Sequence, residues 1–404
     1  MKKIIWIICQ YASTPETGIS TRHYNLAREL VKNDVEVYLI ASASHHLLRN
    51  KPVFKGSFKK EFRDGFHFIW TNLPSYKNSF SKMRVLSWFI FGWRLLFIAR
   101  IISKKPDTIL YSSPSLIPFL GASILSKRFK AKLVCEVRDI WPLTLINLGG
   151  YSPKNPFIIF NQWIEDMAYR TSDKVISNLE YANVHMTSRG MRKDKFIFIP
   201  NGFSIDELSE NEPLDKDIIN SINTDKFIVG YTGTIGHANA LDNFIKAAEN
   251  LKMHPNILFI LVGDGKEKDY LLQYVLKNKI TNILFIDSIK KKQVQTMLSY
   301  FDICYQGVSD ADIYSYGSAS MKIPEYLFSG KPVIHAYSGK GGLVTKFNAG
   351  IEISSDNIDE LVNAIIYFYK LPHEKRKKIG ERGRQCIIEE YEYKKLSNRL
   401  LSII

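Results

Sequence analysis

Cysteine is scarce in this chain, and its spacing argues against a metal-binding role. Four cysteines occur among 404 residues, and none is paired with another at the two-residue separation typical of zinc sites. Three lie inside apolar segments that read as strands or helix faces. We therefore predict reduced core thiols in a cytoplasmic protein. The four positions are Cys9, Cys135, Cys304 and Cys386.

Long uncharged apolar segments are also absent. The apolar run near the N-terminus is too short for the hydrophobic part of a signal peptide and predicts a first buried strand. No other run reaches the length of a membrane span without charge. Residues 84–103 form the most apolar helical pattern, which Arg94 and Arg100 interrupt. Such a helix can pack on a sheet or lie at a membrane surface. It can also do both, with one face on the sheet and another on the membrane.

Acidic residues are too few to balance the basic ones. The chain has 55 Lys and Arg against 40 Asp and Glu, which gives a formal net charge of +15. This excess calls for an acidic partner, either nucleic acid, an anionic membrane surface or a phosphorylated substrate. Because no helix-turn-helix, zinc-finger or RNP-like pattern occurs, we expect no nucleic-acid partner.

Short β-rich apolar segments alternate with helical patterns along the whole chain, which predicts an α/β protein with parallel sheets wound by helices. A chain of 404 residues exceeds what one core usually supports. We predict two Rossmann-like domains, an N-terminal one over 1–202 and a C-terminal one over 203–385. A last helix, within 386–404, is expected to pack back towards the N-terminal domain.

One segment, residues 317–334, carries more functional information than any other. Four small residues, 317–320, precede a short helical pattern, and a buried strand follows. Small residues leave backbone N–H groups accessible and a helix start adds partial positive charge, so the loop suits an anion such as phosphate. Lys322 adds a cation, and Glu325 lies one helical turn further on. This combination suits a nucleoside-diphosphate sugar, with Glu325 accepting hydrogen bonds from ribose hydroxyls.

The segment resembles the donor-site motif of the retaining GT-B glycosyltransferases of family 4, where a Glu-x7-Glu pair precedes a Gly-x-Pro-Val-Ile strand. Glu325 corresponds to the second Glu, whereas Gly317 stands at the place of the first. This departure is similar to the O-antigen and capsule transferases related to the N-acetylfucosamine transferases, whose loop reads Ser-x-Lys-x-x-Glu-Tyr. The resemblance implies a GT-B fold in which the two parallel sheets face a central cleft. It also implies donor binding by Ser318, Ala319, Ser320, Lys322, Ile323 and Glu325.

Other segments of the C-terminal half extend this resemblance. Pro200-Asn201-Gly202 is similar to the family's interdomain signature, and glycine-containing turns follow two predicted strands. By resemblance the donor contacts are Gly233, Thr234, Gly236, His237, Gly263 and Lys266, with Ile289 near the nucleobase. Thr234 and His237 replace the Arg and Lys usual in the first turn, so positive charge is expected from Lys322 or from backbone donors. His237 can equally be a solvent-exposed loop residue, and 263–266 a plain tight turn.

Two segments of the N-terminal half read as parts of the same site. Gly18 lies in a polar loop after the first strand, which the family places against the donor. Glu136-Val137-Arg138-Asp139-Ile140-Trp141-Pro142 places charged groups at the end of an apolar strand, where open α/β sheets bind ligands. It resembles the Arg-Asp-x-Trp-Pro signature of the fucosamine-type transferases, which implies catalytic roles for Asp139 and Arg138. A structural Arg–Asp pair at the sheet edge is the alternative.

The resemblance implies an enzyme that moves a sugar from a UDP-sugar to a polyprenyl-diphosphate-linked saccharide, with retention, in O-antigen or capsule biosynthesis at the inner face of the cytoplasmic membrane. Neither a cofactor nor a metal is expected, because Asp310-Ala311-Asp312 has the letters of a metal motif but lies in a loop. One alternative is a UDP-sugar 2-epimerase, which shares the fold. Another, of a different class, is a non-catalytic basic protein that binds nucleic acid or membrane.

Overall fold

The computed structural model describes residues 2–76 and 81–404. Its elements divide into two compact units. The first runs to Asn201 and includes Tyr393–Ile404, and the second is Gly202–Glu392. The segment 386–404, predicted as one piece, is therefore divided at Glu392, because the long helix His373–Tyr391 belongs to the second unit.

The first unit is built on an eight-stranded sheet of order β3-β4-β2-β1-β5-β6-β7-β8, in which every pairing except β3–β4 is parallel. Its central strands are buried on both faces, as expected for a parallel sheet covered by helices. The strands are β1 (Lys3–Cys9), β2 (Val35–Ser42), β3 (Phe58–Arg63), β4 (Phe66–Thr71), β5 (Thr108–Ser112), β6 (Lys132–Val137), β7 (Lys174–Ser177) and β8 (Phe196–Phe198).

Strand β3 was not predicted from the sequence because its side chains are largely polar and half-exposed, as suits the edge of a sheet. It forms an antiparallel hairpin with β4 through Asp64-Gly65. Both turn residues have positive φ, +44° and +86°, as a two-residue hairpin turn of this twist requires. An Asp-Gly pair before an apolar segment was the signal that could have revealed the strand.

The second unit has a six-stranded, fully parallel sheet of order β11-β10-β9-β12-β13-β14. Together with the first sheet, it confirms the prediction of two Rossmann-like α/β domains. Its strands are β9 (Phe227–Thr232), β10 (Ile257–Val262), β11 (Ile283–Ile286), β12 (Ile303–Gly307), β13 (Val333–Ala336) and β14 (Gly350–Ile353).

Sixteen α-helices, numbered in chain order, lie within the described ranges. The first unit contains α1 (Arg22–Lys32), α2 (Lys82–Leu95), α3 (Phe119–Phe129), α4 (Leu143–Asn147), α5 (Pro156–Thr171), α6 (Ala182–Ser188) and α16 (Tyr393–Leu401). The second contains α7 (Ile205–Ser209), α8 (Lys216–Ser221), α9 (Leu241–Asn250), α10 (Lys268–Lys277), α11 (Val294–Ser299), α12 (Lys322–Phe328), α13 (Leu343–Lys346), α14 (Ile358–Lys370) and α15 (His373–Tyr391). Short 3-10 helices cover Ile98–Arg100, Lys193–Lys195, His237–Asn239, Lys291–Gln293 and Asp312–Tyr316.

The helix predicted over 84–103 is shorter in the structure. Helix α2 ends at Leu95 and a 3-10 turn, Ile98–Arg100, follows. Of the helices formed by residues 2–76 and 81–404, none combines the length and apolar character needed to cross a membrane. At the other end of the chain, α16 buries Leu396 and Leu400 in the same apolar cluster as Leu26 and Leu30 of α1.

A buried ion cluster ties three elements of the first unit together. Glu136, at the end of β6, accepts hydrogen bonds from Arg22 Nε at 3.0 Å and Nη2 at 2.9 Å, and its other oxygen lies 2.5 Å from His23 Nε2. Arg22 also donates to the carbonyls of Ile199 and Pro200, after β8. Burial alone would raise the pKa of the Glu136 carboxyl, but Arg22 and His23 hold it well below its usual value.

Replacing Glu136 with Gln is expected to destabilise the protein by about 3–5 kcal/mol, because the variant leaves buried Arg22 uncompensated. Urea unfolding at pH 7 measures the change. The matched control is Glu36→Gln, which removes a partner of Lys104 that is half in solvent and should cost less than about 1 kcal/mol. Since the folded-state pKa of Glu136 is lowered, the difference between wild type and variant should shrink as the pH falls below about 4. Equal losses in the two variants would contradict this account.

Candidate nucleotide site and its surroundings

A cavity of about 270 Å³ opens at the carboxyl ends of β9, β10 and β11 in the second unit. It lies beside β9, whose neighbours on the two sides are β10 and β12, and so at the point where the strand order reverses. Open parallel sheets bind ligands at this place. The cavity is lined by Thr232, Gly233, Thr234, Val262, Gly263, Asp264, Ser288, Ile289, Lys291, Val294, Lys322 and Glu325.

Two glycines allow the loops after β9 and β10 to approach each other closely. Gly233 has φ +143° and Gly263 has φ +147°, which disfavour any residue with a side chain. A methyl group on Gly263 would overlap the carbonyl oxygen of Gly233. The Gly233 N–H donates to the Val262 carbonyl at 2.9 Å, which holds the loops in register. The cavity wall is therefore bare backbone at this point.

Lys322, the first residue of α12, brings a cation to this wall. Its Nζ donates to Tyr231 Oη at 2.7 Å and to Asn239 Oδ1 at 2.6 Å. A side chain at residue 233 would overlap the Lys322 Cε atom, so Gly233 leaves the room that the lysine occupies. Two of the three ammonium N–H groups have these partners, and the lysine lines the cavity with one more donor.

Burial also changes the acid–base behaviour of the Lys322 ammonium. Burial lowers its pKa to about 8, although the nearby Glu325 carboxylate opposes that shift. An anion in the cavity would restore the favourable charge interaction that burial has removed. This site therefore suits a phosphate better than a neutral group.

Glu325 lies one turn further along α12 and faces the same cavity. Its carboxylate pairs with the Nζ of Lys291, which begins the 3-10 turn Lys291–Gln293 after β11. Lys291 is 58% exposed and Glu325 19%, so the pair lies at the rim. The Glu325 backbone carbonyl is fixed separately, because Gln295 Nε2 donates to it at 3.1 Å.

The structure brings together six of the residues predicted for the donor. They include a cation, a carboxylate and two glycines, and Ile289 and Val294 supply apolar surface. These six predicted residues are Gly233, Thr234, Gly263, Ile289, Lys322 and Glu325.

Other predicted donor residues do not line this cavity. The His237 side chain is 89% exposed, with Nδ1 3.5 Å from Glu267 Oε1, and Lys266 is exposed. Ile323 is buried in the core of the unit. Gly236 and the run 318–320 also lie outside the lining.

The loop before α12 differs in detail from the prediction of bare backbone donors. Ser318 Oγ accepts from the Ser320 N–H at 3.3 Å, and Ser320 Oγ accepts from the Lys322 N–H at 3.2 Å. These two hydroxyls therefore satisfy backbone groups that had been predicted to face an anion. Gly317 has φ +109°, a conformation that a glutamate would adopt only with strain. Glycine therefore suits this backbone position better than the glutamate that the motif resemblance places there.

Several residues that shape the cavity were missed by the sequence reasoning. Tyr326 Oη accepts from the Thr232 N–H at 2.9 Å and donates to the Thr232 carbonyl at 3.0 Å, which anchors the loop after β9 on α12. Asn239 holds Lys322, and Lys291 holds Glu325. Tyr326 follows Glu325 directly in the motif, which was a usable signal. No local pattern marks Asn239 or Lys291.

In the first unit, Asp139 is held by two donors at the carboxyl end of β6. Thr144 Oγ1 donates to Oδ1 at 2.7 Å, and Trp141 Nε1 donates to Oδ2 at 3.0 Å. The Arg138 backbone N–H donates to Ser113 Oγ at 2.9 Å, while its side-chain Nε is buried without a hydrogen-bond partner in the described structure. The partners of the Asp139 carboxylate are thus Thr144 and Trp141, and the ion pairs of the described residues include none between Asp139 and Arg138.

An aromatic box around Arg84 was not predicted. Its guanidinium lies 5.3–5.5 Å from the ring centroids of Tyr11, Trp88 and Trp141. Arg84 Nε and Trp88 Nε1 both donate to Tyr11 Oη, at 3.0 and 2.8 Å. Trp141 also donates to Asp139, so this one tryptophan contacts both Arg84 and the predicted catalytic aspartate. Gly18, also predicted for the donor, forms an isolated antiparallel bridge with Leu48, and a methyl group on it would overlap the Leu47 carbonyl oxygen.

Helices α2 and α5 carry an exposed apolar surface. Trp88, Phe91 and Leu95 of α2 are buried, whereas its opposite side is exposed. Phe89 stacks on Phe160 of α5 with planes 9° apart, and Phe160 stacks on Trp163. The exposed members of this α2–α5 surface are Met83, Leu86, Phe89, Trp93, Ile159 and Trp163.

Two Rossmann-like units with a ligand cavity at the switch point of the second sheet define the GT-B class of architecture. Residues 17–207 match the family described as Glycosyltransferase Family 4, and residues 215–386 match Glycosyl transferases group 1. The chain is thus a glycosyltransferase built from one domain of each kind. The two domain matches favour an enzyme over the non-catalytic alternative.

The chain is similar in sequence to one named relative and in fold to two solved structures. WcaI of Escherichia coli K12, a glycosyl transferase whose name assigns it to colanic acid biosynthesis, is 24% identical over 281 residues, covering 66% of this chain and 67% of the relative. Sucrose-phosphate synthase of Thermosynechococcus elongatus has a TM-score of 0.73 at 14% identity, covering 100% of this chain and 98% of that one. Alr3699/HepE of Anabaena, solved in complex with UDP and glucose, has a TM-score of 0.66 at 15% identity, covering 99% and 98%.

Proposed function

We propose that this glycosyltransferase moves a sugar from a UDP-sugar to a polyprenyl-diphosphate-linked saccharide, with retention of configuration, in the biosynthesis of a bacterial surface polysaccharide such as O-antigen or capsule. The observation that carries the proposal is the cavity in which Lys322 and Glu325 face bare backbone at Gly233 and Gly263. Retention and the N-acetylfucosamine-transferase-like branch rest on the resemblance of the 317–334 segment to that group.

The charges and surfaces of the cavity suggest how a nucleotide would lie. The diphosphate would lie against the glycine loops, where the Lys322 ammonium can donate to it. Glu325 would accept hydrogen bonds from the ribose hydroxyls. The base would lie towards Ser288 and Ile289, the end of the cavity reached from β11. Each part of a nucleoside diphosphate thus has a chemically matching neighbour.

The choice of UDP and of a surface polysaccharide is supported by similar proteins. HepE was solved with UDP and glucose, and the name of WcaI assigns that relative to colanic acid biosynthesis. A UDP-sugar 2-epimerase has no specific observation in its favour. We therefore propose a UDP-sugar as the donor.

The departing diphosphate gains negative charge as the glycosidic bond to it breaks. Lys322, already in place on its two acceptors, would stabilise that charge without reorganisation. No metal is needed for this role, and we expect turnover to persist in excess EDTA. Among the described residues no group of three or more His, Cys, Asp or Glu could hold a metal ion.

Asp139 and Arg138 are proposed as the catalytic residues on the first unit. Both oxygens of Asp139 accept hydrogen bonds, which fixes the direction of its carboxyl group. An aspartate of this kind can orient an acceptor hydroxyl by accepting its proton in a hydrogen bond. Arg138, whose buried Nε has no hydrogen-bond partner in the described structure, can donate to a phosphate or sugar oxygen.

The decisive experiment incubates the protein with a panel of UDP-sugars and defined polyprenyl-diphosphate saccharides, with mass spectrometry of the products. One donor–acceptor pair should give a product larger by one sugar.

Glu325→Gln should weaken UDP binding in calorimetry by about 1.5–3 kcal/mol, the range for a hydrogen bond to a charged group. Gln385→Glu, on the exposed side of α15, serves as control. A panel without product, together with unchanged UDP affinity in Glu325→Gln, would refute the donor assignment.

Donor affinity should depend on pH through Lys322. Its lowered pKa of about 8 means that the free site loses the ammonium charge as the pH rises through 8, so UDP affinity should fall about tenfold for each further unit. Calorimetry from pH 7 to 9.5 measures this slope. Lys322→Met should bind UDP weakly and independently of pH across the same range. A wild-type affinity that stays constant up to pH 9.5 would contradict the role of Lys322.

We propose that the α2–α5 surface places the enzyme on the inner face of the cytoplasmic membrane, where a lipid-linked acceptor is found. Its aromatic and aliphatic side chains suit the boundary between headgroups and acyl chains. Lys82 at the start of α2 and the basic residues Lys127 and Arg128 at the end of α3 can attract anionic headgroups. The proposal extends the predicted helix 84–103 to include α5.

Flotation with vesicles of mixed neutral and anionic lipid tests this surface. Wild-type protein should float at low salt, and the variant Trp93→Ser with Trp163→Ser should remain largely at the bottom of the gradient, because it loses two exposed aromatic anchors. The control, Met253→Ser with Leu276→Ser, removes exposed apolar side chains of the second unit and should float like wild type. Equal flotation of all three proteins would exclude the α2–α5 surface as the membrane contact.

A further inference from the structure

Lys291 is the second cation of the nucleotide cavity, and neither the motif resemblance nor the sequence pattern pointed to it. It begins the 3-10 turn after β11, and its Nζ contacts Glu325 Oε1. Both side chains line the cavity. The neighbouring lysines behave differently: Lys290 pairs with Glu212 and Lys292 with Glu210, and none of these four lines it.

The charges of the lining balance only when Lys291 is included. Four charged side chains line the cavity, Lys291 and Lys322 against Asp264 and Glu325. Without Lys291 the lining would carry a formal charge of −1. A diphosphate entering such a cavity would meet net repulsion, since like charges in a partly desolvated site oppose each other strongly.

We propose that Lys291 is a nucleotide-binding residue that neutralises Glu325 and thereby lets one cavity hold a carboxylate beside a diphosphate. The inference rests on the proposed function, because it takes a nucleoside diphosphate as the ligand. The Glu325 carboxylate keeps lone pairs for ribose hydroxyls while one oxygen contacts Lys291. Lys291 therefore removes the charge conflict without removing the hydrogen-bond acceptor.

The charge of Lys291 can be removed without disturbing the structure of the site. Lys291 is 58% exposed, so its side chain does little to fill the core. The backbone of α12 at Glu325 is held independently by Gln295, and the turn at 291–293 is held by Gln293, whose Nε2 donates to the Pro213 carbonyl at 2.9 Å. A neutral side chain at position 291 should therefore change the charge of the cavity and leave its walls in place.

The test compares a charged and an uncharged ligand. In calorimetry, Lys291→Met should weaken UDP binding about tenfold, as expected for one charge acting over several ångströms at the rim of a site. The same variant should weaken uridine, measured by competition with UDP, less than about threefold, because uridine carries no charge to repel. Lys291→Arg should bind UDP within about threefold of wild type. Lys292→Met, which removes the adjacent lysine outside the cavity, should leave both affinities unchanged.

A charge rescue distinguishes electrostatics from local disruption. Asp264→Asn in the Lys291→Met background restores a neutral lining, and Asn can still accept from the Gly265 N–H as Asp264 does at 2.8 Å. The double variant should bind UDP within about threefold of wild type. Lys291→Gln provides a second neutral variant should Lys291→Met fold poorly.

Three results would overturn the inference while leaving the proposed function intact. They are unchanged UDP affinity in Lys291→Met and Lys291→Gln, equal losses for UDP and uridine, and a double variant no better than the single one. Wild-type protein that binds neither UDP nor any UDP-sugar would instead overturn the proposed function, and the inference with it.

Discussion

The nucleotide site depends on the close approach of the Lys322 side chain to a backbone that has no side chain at residue 233. Lys322 donates to Tyr231 and Asn239, and both of these donate in turn to the Thr234 carbonyl, at 2.7 and 2.9 Å. The cation and the loop that faces the ligand are therefore held by one hydrogen-bonded network. Tyr326, on the same helix as Lys322, binds both backbone groups of Thr232. A cation fixed in this way needs little rearrangement when negative charge develops beside it, which is the main source of electrostatic catalysis.

Burial separates the charges that hold the fold from those that can act on a ligand. In the first unit, Arg22, His23 and Glu136 are buried together, so their partners cannot be exchanged without leaving a charge uncompensated. In the second unit, Glu325 and Lys291 meet at a rim that solvent reaches, where an ion pair is worth little and can be rearranged. The same chemical pair, a carboxylate with a cation, is structural in one place and available for binding in the other.

Local sequence information predicted what is local in the fold. The parallel strands were found because each is a short apolar run, and the α12 segment because its loop, helix and strand are consecutive. The partners of these groups could not be found in this way. Lys291 is 34 residues from Glu325, Asn239 is 83 from Lys322, and Thr232 is 94 from Tyr326. Such pairs follow from the order of strands in the sheet, which brings the ends of β9 and β11 and the start of α12 together. His237 and Lys266 lie in turns and are exposed outside the cavity. Composition does not determine the direction in which the side chain of a turn residue points.

Helix α2 shows why periodicity alone left two readings of the most apolar segment. Apolar side chains cover both its buried side, with Trp88 and Phe91, and its exposed side, with Phe89 and Trp93, so no polar stripe marks the solvent. Two polar residues of the helix do not mark the solvent side either, because Ser87 is buried and Arg84 lies among three aromatic rings. Only packing distinguishes the buried side of the helix from the exposed side. On the exposed side, Phe89 stacks on Phe160 of α5. A basic surface alone would attract any polyanion, but a basic surface beside exposed aromatic rings favours the boundary of a lipid bilayer, since that environment accepts both. The proposed membrane location therefore rests on two features, the net positive charge of the chain and the α2–α5 surface.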